Sequence, residues 1–339
     1  MKKANKILGF AAILAAIALS TLFITGCPET EEDSPPPPFY IITGSGTAFT
    51  ATRSDATIGT AGQPIQTVIN AIQTNAANLN PTIQFGDGNT VLDIGTAYVE
   101  LKNTNDSTWG TITLSGKITS NVSDSSSGTI KINKSVSVTS SADIANTNTG
   151  TFAKAIYSTG ALSITDGTLF NPNGYTVYSN STIDDGGVTI SGGTIQSKSG
   201  WTVYNYLTGT ITISGGTVSS ETSTALYISG SGTVTVSETA NITSAATSSS
   251  NGTIQISSYS TITPATVLLK MTGGTVTNTS TTTGNTIYHN NSGGTLIISG
   301  GTVSKAGNSG YAIYKSSTTS VVTIGGGATI VGAKYGITP

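Results

Sequence analysis

The chain is poor in the residues on which most enzyme chemistry depends. Its 339 residues include one cysteine, one histidine and, at Arg53, one arginine, and only 9% are charged. One cysteine cannot form an intramolecular disulfide. The lone histidine, His289 in "YHNNSGG", has no acid beside it and no paired cysteine. A catalytic base needs a positioned partner, so His289 is expected as a solvent-exposed turn residue. The formal net charge is -2, which gives no electrostatic footprint for nucleic acid. There is no G-x-S-x-G, no HExxH and no phosphate-binding glycine loop. Chains too poor in apolar residues to fold usually carry high net charge or much proline. This one has neither, and its Ile and Val recur at regular intervals, as suits an uncharged, Thr-rich β surface.

The first residues read as an export signal. "MKKANK" is basic, "ILGFAAILAAIALSTLF" is apolar, and "ITGC" closes the segment at Cys27. The close resembles a bacterial lipobox: a branched aliphatic (Ile24), two small residues (Thr25, Gly26), then cysteine. The alternative is an ordinary signal peptide followed by a core cysteine. The resemblance implies residues 1-26 as a lipoprotein signal peptide, lipidation of Cys27 and membrane attachment through it. Each buried methylene of the acyl chains would add about 0.8 kcal/mol to anchoring. Loss of Lys2, Lys3 and Lys6 with the signal would shift the side-chain charge from -2 to -5. The acidic, Pro-rich "PETEEDSPPPPF" cannot form a core and reads as an extended tether over 27-39.

Residues 40-84 form an N-terminal segment containing the one helical pattern. Ile65, Val68, Ile69, Ile72 and Ala76 share a face at i, i+3, i+4, i+7 spacing, and Pro64 suits the first turn, so a helix is expected over about 64-78. Beyond it the writing becomes periodic. An I-x-I run, a Gly pair and a T-V restart recur, as in "GTITISGGTVSS" from Gly209. The second apolar residue of each run falls at Leu114, Ile132, Ile164, Ile190, Ile213, Val236, Ile256, Ile298 and Ile324, with a weaker member at Met271. A second marker, small-aliphatic-Tyr, ends at Tyr157, Tyr178, Tyr204, Tyr227, Tyr288 and Tyr314. Two markers in alternation define a repeat of about 25 residues. Three short strands per unit close one rung of an all-β parallel β-helix over 85-339, with nine or ten rungs stacked about 4.8 Å apart. Inward Ile211 and Ile213 would build an aliphatic ladder, and Gly215-Gly216 would turn the corner.

The arrangement resembles the right-handed parallel β-helix of the pectate-lyase-like superfamily, in particular its Gly/Thr-rich bacterial surface lipoproteins and adhesins. The resemblance rests on the I-x-I-S-G-G-T-V and A-I-Y phrases, and it implies that the amphipathic helix caps the solenoid. Hydrolases of that fold use clustered aspartates, and its lyases use calcium with a basic residue. Here the weak catalytic candidates are Asp166, in "ITDGTL", and Asp184-Asp185, in "STIDDGGVTI", all of which also suit turns. Hard cations want six to eight oxygen ligands, so neither a metal nor a cofactor is expected. Trp201, Tyr204 and Tyr206 form the densest aromatic cluster and are the candidate ligand-binding residues. The recurring tyrosines admit two readings, a carbohydrate platform or simple packing in a ladder. The expected function is a non-catalytic, exported and lipid-anchored protein of the outer membrane or cell surface. Its role would be structural or adhesive, toward glycan or host or matrix polymers. The alternative is a polysaccharide-binding or polysaccharide-cleaving protein.

Overall fold

The computed structural model describes residues 36–54, 56–182, 186–257, 263, 265–332 and 336–337. The export segment, Cys27, most of the tether, Asp184 and Asp185 lie outside the described residues. No helix among the described residues is long and apolar enough to cross a membrane.

Residues from Pro37 onward form a parallel β-solenoid of about nine turns. Each full turn lays down three short strands, and each strand pairs in parallel with its counterparts in the turns before and after. One turn is Ile211–Ile213, Thr217–Ser220 and Leu226–Ile228, which define a first, second and third face. The local cause is visible in the burial. Ile211, Ile213 and Val218 are fully buried, while Thr212, Thr217 and Ser219 face outward. β-Branched residues fit both sides of such a pleat. Between the first two strands the glycine pair does two jobs. Gly216 takes a left-handed φ of 70°, which any side chain would resist. Gly215 lies so close to the preceding turn that a Cβ would sit 2.3 Å from the Ser191 carbonyl oxygen.

The inward residue of the first face runs Tyr40, Ile83, Leu114, Ser140, Ile164, Ile190, Ile213, Val236, Met271, Ile298, Ile324. Two expected members are absent from it. Ile132 and Ile256 belong to the third face, where Ile132 pairs with Leu101 and Ser158, and Ile256 with Ile228 and His289. Ser140 and Met271 hold their places. The uneven spacing in the sequence is thereby explained, because the I-x-I run occurs on two separate ladders. From Ile83 onward the true steps are 23 to 31 residues, except for one of 35 between Val236 and Met271. The extra length of that step falls largely between Gly252–Ile256 and Val267–Asn278.

The corner from second to third face is held by buried polar groups. Ser120–Thr129, Ser197–Thr202 and Ser244–Thr253 pair hydroxyl to hydroxyl at 2.7–2.8 Å. In other turns an asparagine does the work: Asn278 Nδ2 donates to the carbonyls of Ala246 and Asn285, at 3.0 and 2.7 Å. Lys305 follows Asn278 in register, and its Nζ donates to the carbonyls of Ser280 and Ala306.

At the N-terminal end, Phe39–Ser45 pairs in parallel with Thr82–Phe85 and antiparallel with Ala48–Arg53, which pairs in turn with Ala56–Gln63. The helix runs Ile65–Asn75 and buries Ile65, Val68, Ile69 and Ile72, the face its spacing predicts. Each such side chain is worth about 1.5–3 kcal/mol on burial. The helix also satisfies backbone groups near the first third-face strand, Val99–Leu101. Gln66 Oε1 accepts from Glu100 N at 2.8 Å, and Gln66 Nε2 donates to Glu100 O at 3.0 Å. Gln73 Nε2 donates to Lys102 O at 2.6 Å.

Candidate functional site

The third face carries an outward column that its register makes continuous: Glu100, Lys131, Tyr157, Tyr178, Tyr204, Tyr227, Gln255, Tyr288, Tyr314. The tyrosine ladder expected from the repeat is therefore present, interrupted once by Gln255. At its start Glu100 holds Lys102 and Lys131, each at 3.1 Å, and accepts from Asn133 Nδ2 at 2.8 Å. Burial would raise the Glu100 carboxyl, but these three donors outweigh it and hold it below the usual carboxylate range.

Around Tyr178 and Tyr204 the column widens into a patch, because Tyr175 and Trp201, paired with each other, stand three residues earlier on the same two strands. Trp201 and Tyr204 are 5.3 Å apart between ring centroids, and Tyr204 and Tyr206 are 5.9 Å apart, so the three expected ligand residues do meet. They are not equivalent. Tyr204 is 5% exposed and Tyr206 is 42% exposed. Trp201 stacks on Tyr227 at 4.0 Å and 14°. Tyr157 stacks on Tyr178 at 5.5 Å and 11°. Much of the ring surface in the middle of the column is thus spent on neighbouring rings.

A recess beside the patch is what sequence reading did not find. It is a cleft of about 360 Å³ lined by Thr151, Phe152, Asn173, Tyr175, Ser199 and Trp201. Its floor is Gly174 and Gly200, stacked so tightly that a Cβ on Gly200 would lie 1.8 Å from Gly174 O. Phe152 stands on its rim at 60% exposure, while Tyr175 and Trp201 are half-buried. Ser199 Oγ donates to Asn173 Oδ1 at 2.6 Å, and Asn173 Nδ2 donates to Thr149 O at 3.0 Å. The cleft therefore combines ring surface with fixed amide and hydroxyl groups. Such a pairing would suit a ligand with an apolar face and a hydroxyl-rich rim. The sequence signal was there in the N-x-G-Y and S-G-W turns, but it became readable only once the register placed one above the other.

Lys154 lies behind the patch and is 2% exposed. Its Nζ donates to Ser125 O at 2.8 Å and Phe152 O at 2.7 Å. It also stands 5.1 Å from the Tyr178 ring centroid, 5.5 Å from Tyr175 and 5.8 Å from Tyr157. Burial pushes its pKa down to about 8, partly offset by Asp124. Burial, reinforced by the neighbouring phenols, raises the Tyr178 hydroxyl well above its ordinary value.

Of the catalytic candidates, only Asp166 lies among the described residues. Asp166 is exposed, and its Oδ1 accepts from Gly167 N at 2.8 Å within a turn. Asp143 Oδ1 accepts from Thr168 N at 2.8 Å. Among the described residues no three His, Cys, Asp or Glu side chains gather as a metal site would require. His289 corrects its expectation. It is not in an exposed turn but fully buried, as the last residue of Asn285–His289. Alternation is the reason: Ile287 points in, Tyr288 points out, and His289 points in again. Neither ring nitrogen makes a geometrically sound hydrogen bond among the described residues, although the Gly294 backbone lies close enough to oppose the loss of charge in part. Burial pushes its pKa down to about 4, and the Lys315 charge adds to the effect.

A larger recess of about 600 Å³ lies at the N-terminal end, between Phe49, the helix start at Ile65 and the Ile94–Tyr98 loop. Its one carboxylate, Glu100, is already engaged as described above. No family model, no curated protein and no solved structure matches the chain.

Proposed function

We propose that this chain is a non-catalytic, lipid-anchored β-helix of the bacterial surface, structural or adhesive in role, that holds polymeric carbohydrate at its aromatic face. In this reading the solenoid is right-handed and of pectate-lyase-like type. The Ile65–Asn75 helix is its N-terminal cap, supported by the way Gln66 pairs with both backbone groups of Glu100. Anchoring rests on the lipobox at Cys27. The observation that carries the binding role is the cleft between Phe152, Tyr175 and Trp201 over its glycine floor. Sugar rings offer a C–H-rich face to aromatic side chains and hydroxyls to Asn173 and Ser199. The non-catalytic reading rests on the sequence, which supplies one histidine, one arginine and no acidic residue after Glu238.

Two measurements test it. Affinity electrophoresis through neutral and uronic-acid polysaccharides should show retardation of the wild-type protein. Trp201→Ala and Phe152→Ala should each weaken binding about tenfold, on the order of 1.4 kcal/mol. Unchanged retardation in both variants removes the cleft from the reading, and release of sugar products removes the non-catalytic role. For the anchor, cells fed a labelled fatty acid should incorporate label into the wild-type protein and not into Cys27→Ser. A variant that still carries the label, or an unlabelled wild type, overturns lipidation at that residue.

A further inference from the structure

The last long strand, Val321–Val331, spans the first and second faces of its turn. On one side it pairs with Thr295–Lys305, setting Val322 on Leu296, Ile324 on Ile298 and Ile330 on Val303. On its other side no described strand pairs with it. The consequence for the core is direct. Leu296, Ile298 and Val303 are fully buried, whereas Ile324 is 45% exposed, and Val322 and Ile330 are only half-buried. The devices that usually blunt a sheet edge are missing, since these eleven residues contain no charge and no proline.

The strand also has a property that its neighbour lacks. "VVTIGGGATIV" reads nearly alike in both directions about Gly326. Val321 answers Val331, Val322 answers Ile330, Thr323 answers Thr329, Ile324 answers Ala328, and Gly325 answers Gly327. In an antiparallel pair, residues directly opposite each other share a face. Val322, Ala328 and Ile330 all pack on the core, and Thr323 and Thr329 are both exposed. Val322 with Ile330, and Thr323 with Thr329, therefore agree in direction as well as in kind. The bend falls on the centre of the palindrome, where Gly326 takes a φ of 47°. The preceding strand, "TLIISGGTVSK", fails the same test, because inward Leu296 would meet Ser304 and Thr295 would meet Lys305.

We propose that this edge is a two-fold interface between two copies of the chain. The Val321–Val331 strands pair antiparallel about Gly326, first face against second face, and two apolar cross-sections close into one core. An isologous contact uses the same patch twice and stops at two subunits. Nothing in this rests on the glycan reading.

Disulfide trapping of the full-length protein tests it. In the double variant Thr323→Cys/Thr329→Cys, each new thiol faces its counterpart on the other copy, and mild oxidation should give a covalent dimer as the main product. Thr323→Cys and Thr329→Cys alone should cross-link weakly, because like residues then stand about 20 Å apart along the strands. These single variants also control for copies brought together only by a shared detergent micelle. Light scattering of the wild type should give twice the protomer mass, and Ile324→Lys should halve it while the far-UV spectrum stays unchanged. Monomeric wild type, single cysteines that cross-link as readily as the pair, open-ended assemblies, or a dimer that survives Ile324→Lys would each overturn the proposal.

Discussion

A single buried imidazole makes the strongest statement at the level of residues. His289 is uncharged in the folded chain because burial holds its pKa near 4, against an ordinary value of 6.5. The fold thus favours the neutral form. Its contribution is intact above pH 6.5, falls away as pH drops from 6.5 to 4, and changes no further below 4. Over that window the loss amounts to about 3 kcal/mol. The position below it in register is Ile256, so His289→Ile matches the column it joins. Urea unfolding at pH 7, 5 and 4 should show the variant more stable than wild type, with a gap that widens toward acid. A gap that stays constant with pH would mean that the imidazole does not titrate in this window. Period-2 counting from Ile287 would have placed this side chain inside. What hid it was the turn-like "NNSGG" that follows.

Among elements, the turn-to-turn spacing is the governing quantity. Strands stacked at the ordinary sheet distance leave no room for a methyl group where one corner rests on another. Gly200 is such a corner, with Gly174 O lying 1.8 Å from where its Cβ would be, while Gly325 has no atom within 4 Å of its own. In the monomeric Ile324→Lys background, Gly200→Ala should therefore destabilise by about 3 kcal/mol or more, and Gly325→Ala by less than about 0.5 kcal/mol. Thermal melts of the two variants compare them directly, and equal losses would contradict the packing argument. The elements themselves were legible for the same reason. Every turn restates the alternation of Ile and Thr and the glycine corner, so chance resemblance is soon excluded. The assignment of Ile132 and Ile256 was not legible. An I-x-I run looks the same on the first and third faces, and only pairing partners distinguish them.

For the whole solenoid, sequence periodicity reached the architecture but not the cleft. Trp201, Tyr204 and Tyr206 are close in the chain and so stood out as a cluster. Phe152, Asn173 and Tyr175 belong with Trp201 only because successive turns are superposed. Superposition turns separations of about 25 residues into contacts between neighbours. Lys154 was invisible for the same reason, since the rings that surround it come from two strands. In a stack of this kind each turn touches chiefly the one before and the one after. The 35-residue step between Val236 and Met271 shows what this permits. Extra chain enters between Gly252–Ile256 and Val267–Asn278, yet Val234 still meets Leu269 and Ile242 still meets Val276. Beyond the insertion the strand resumes pairing with the turn before it. That corner is a natural graft point, where a foreign loop could be carried at a fixed height on the stack without rewriting any other turn.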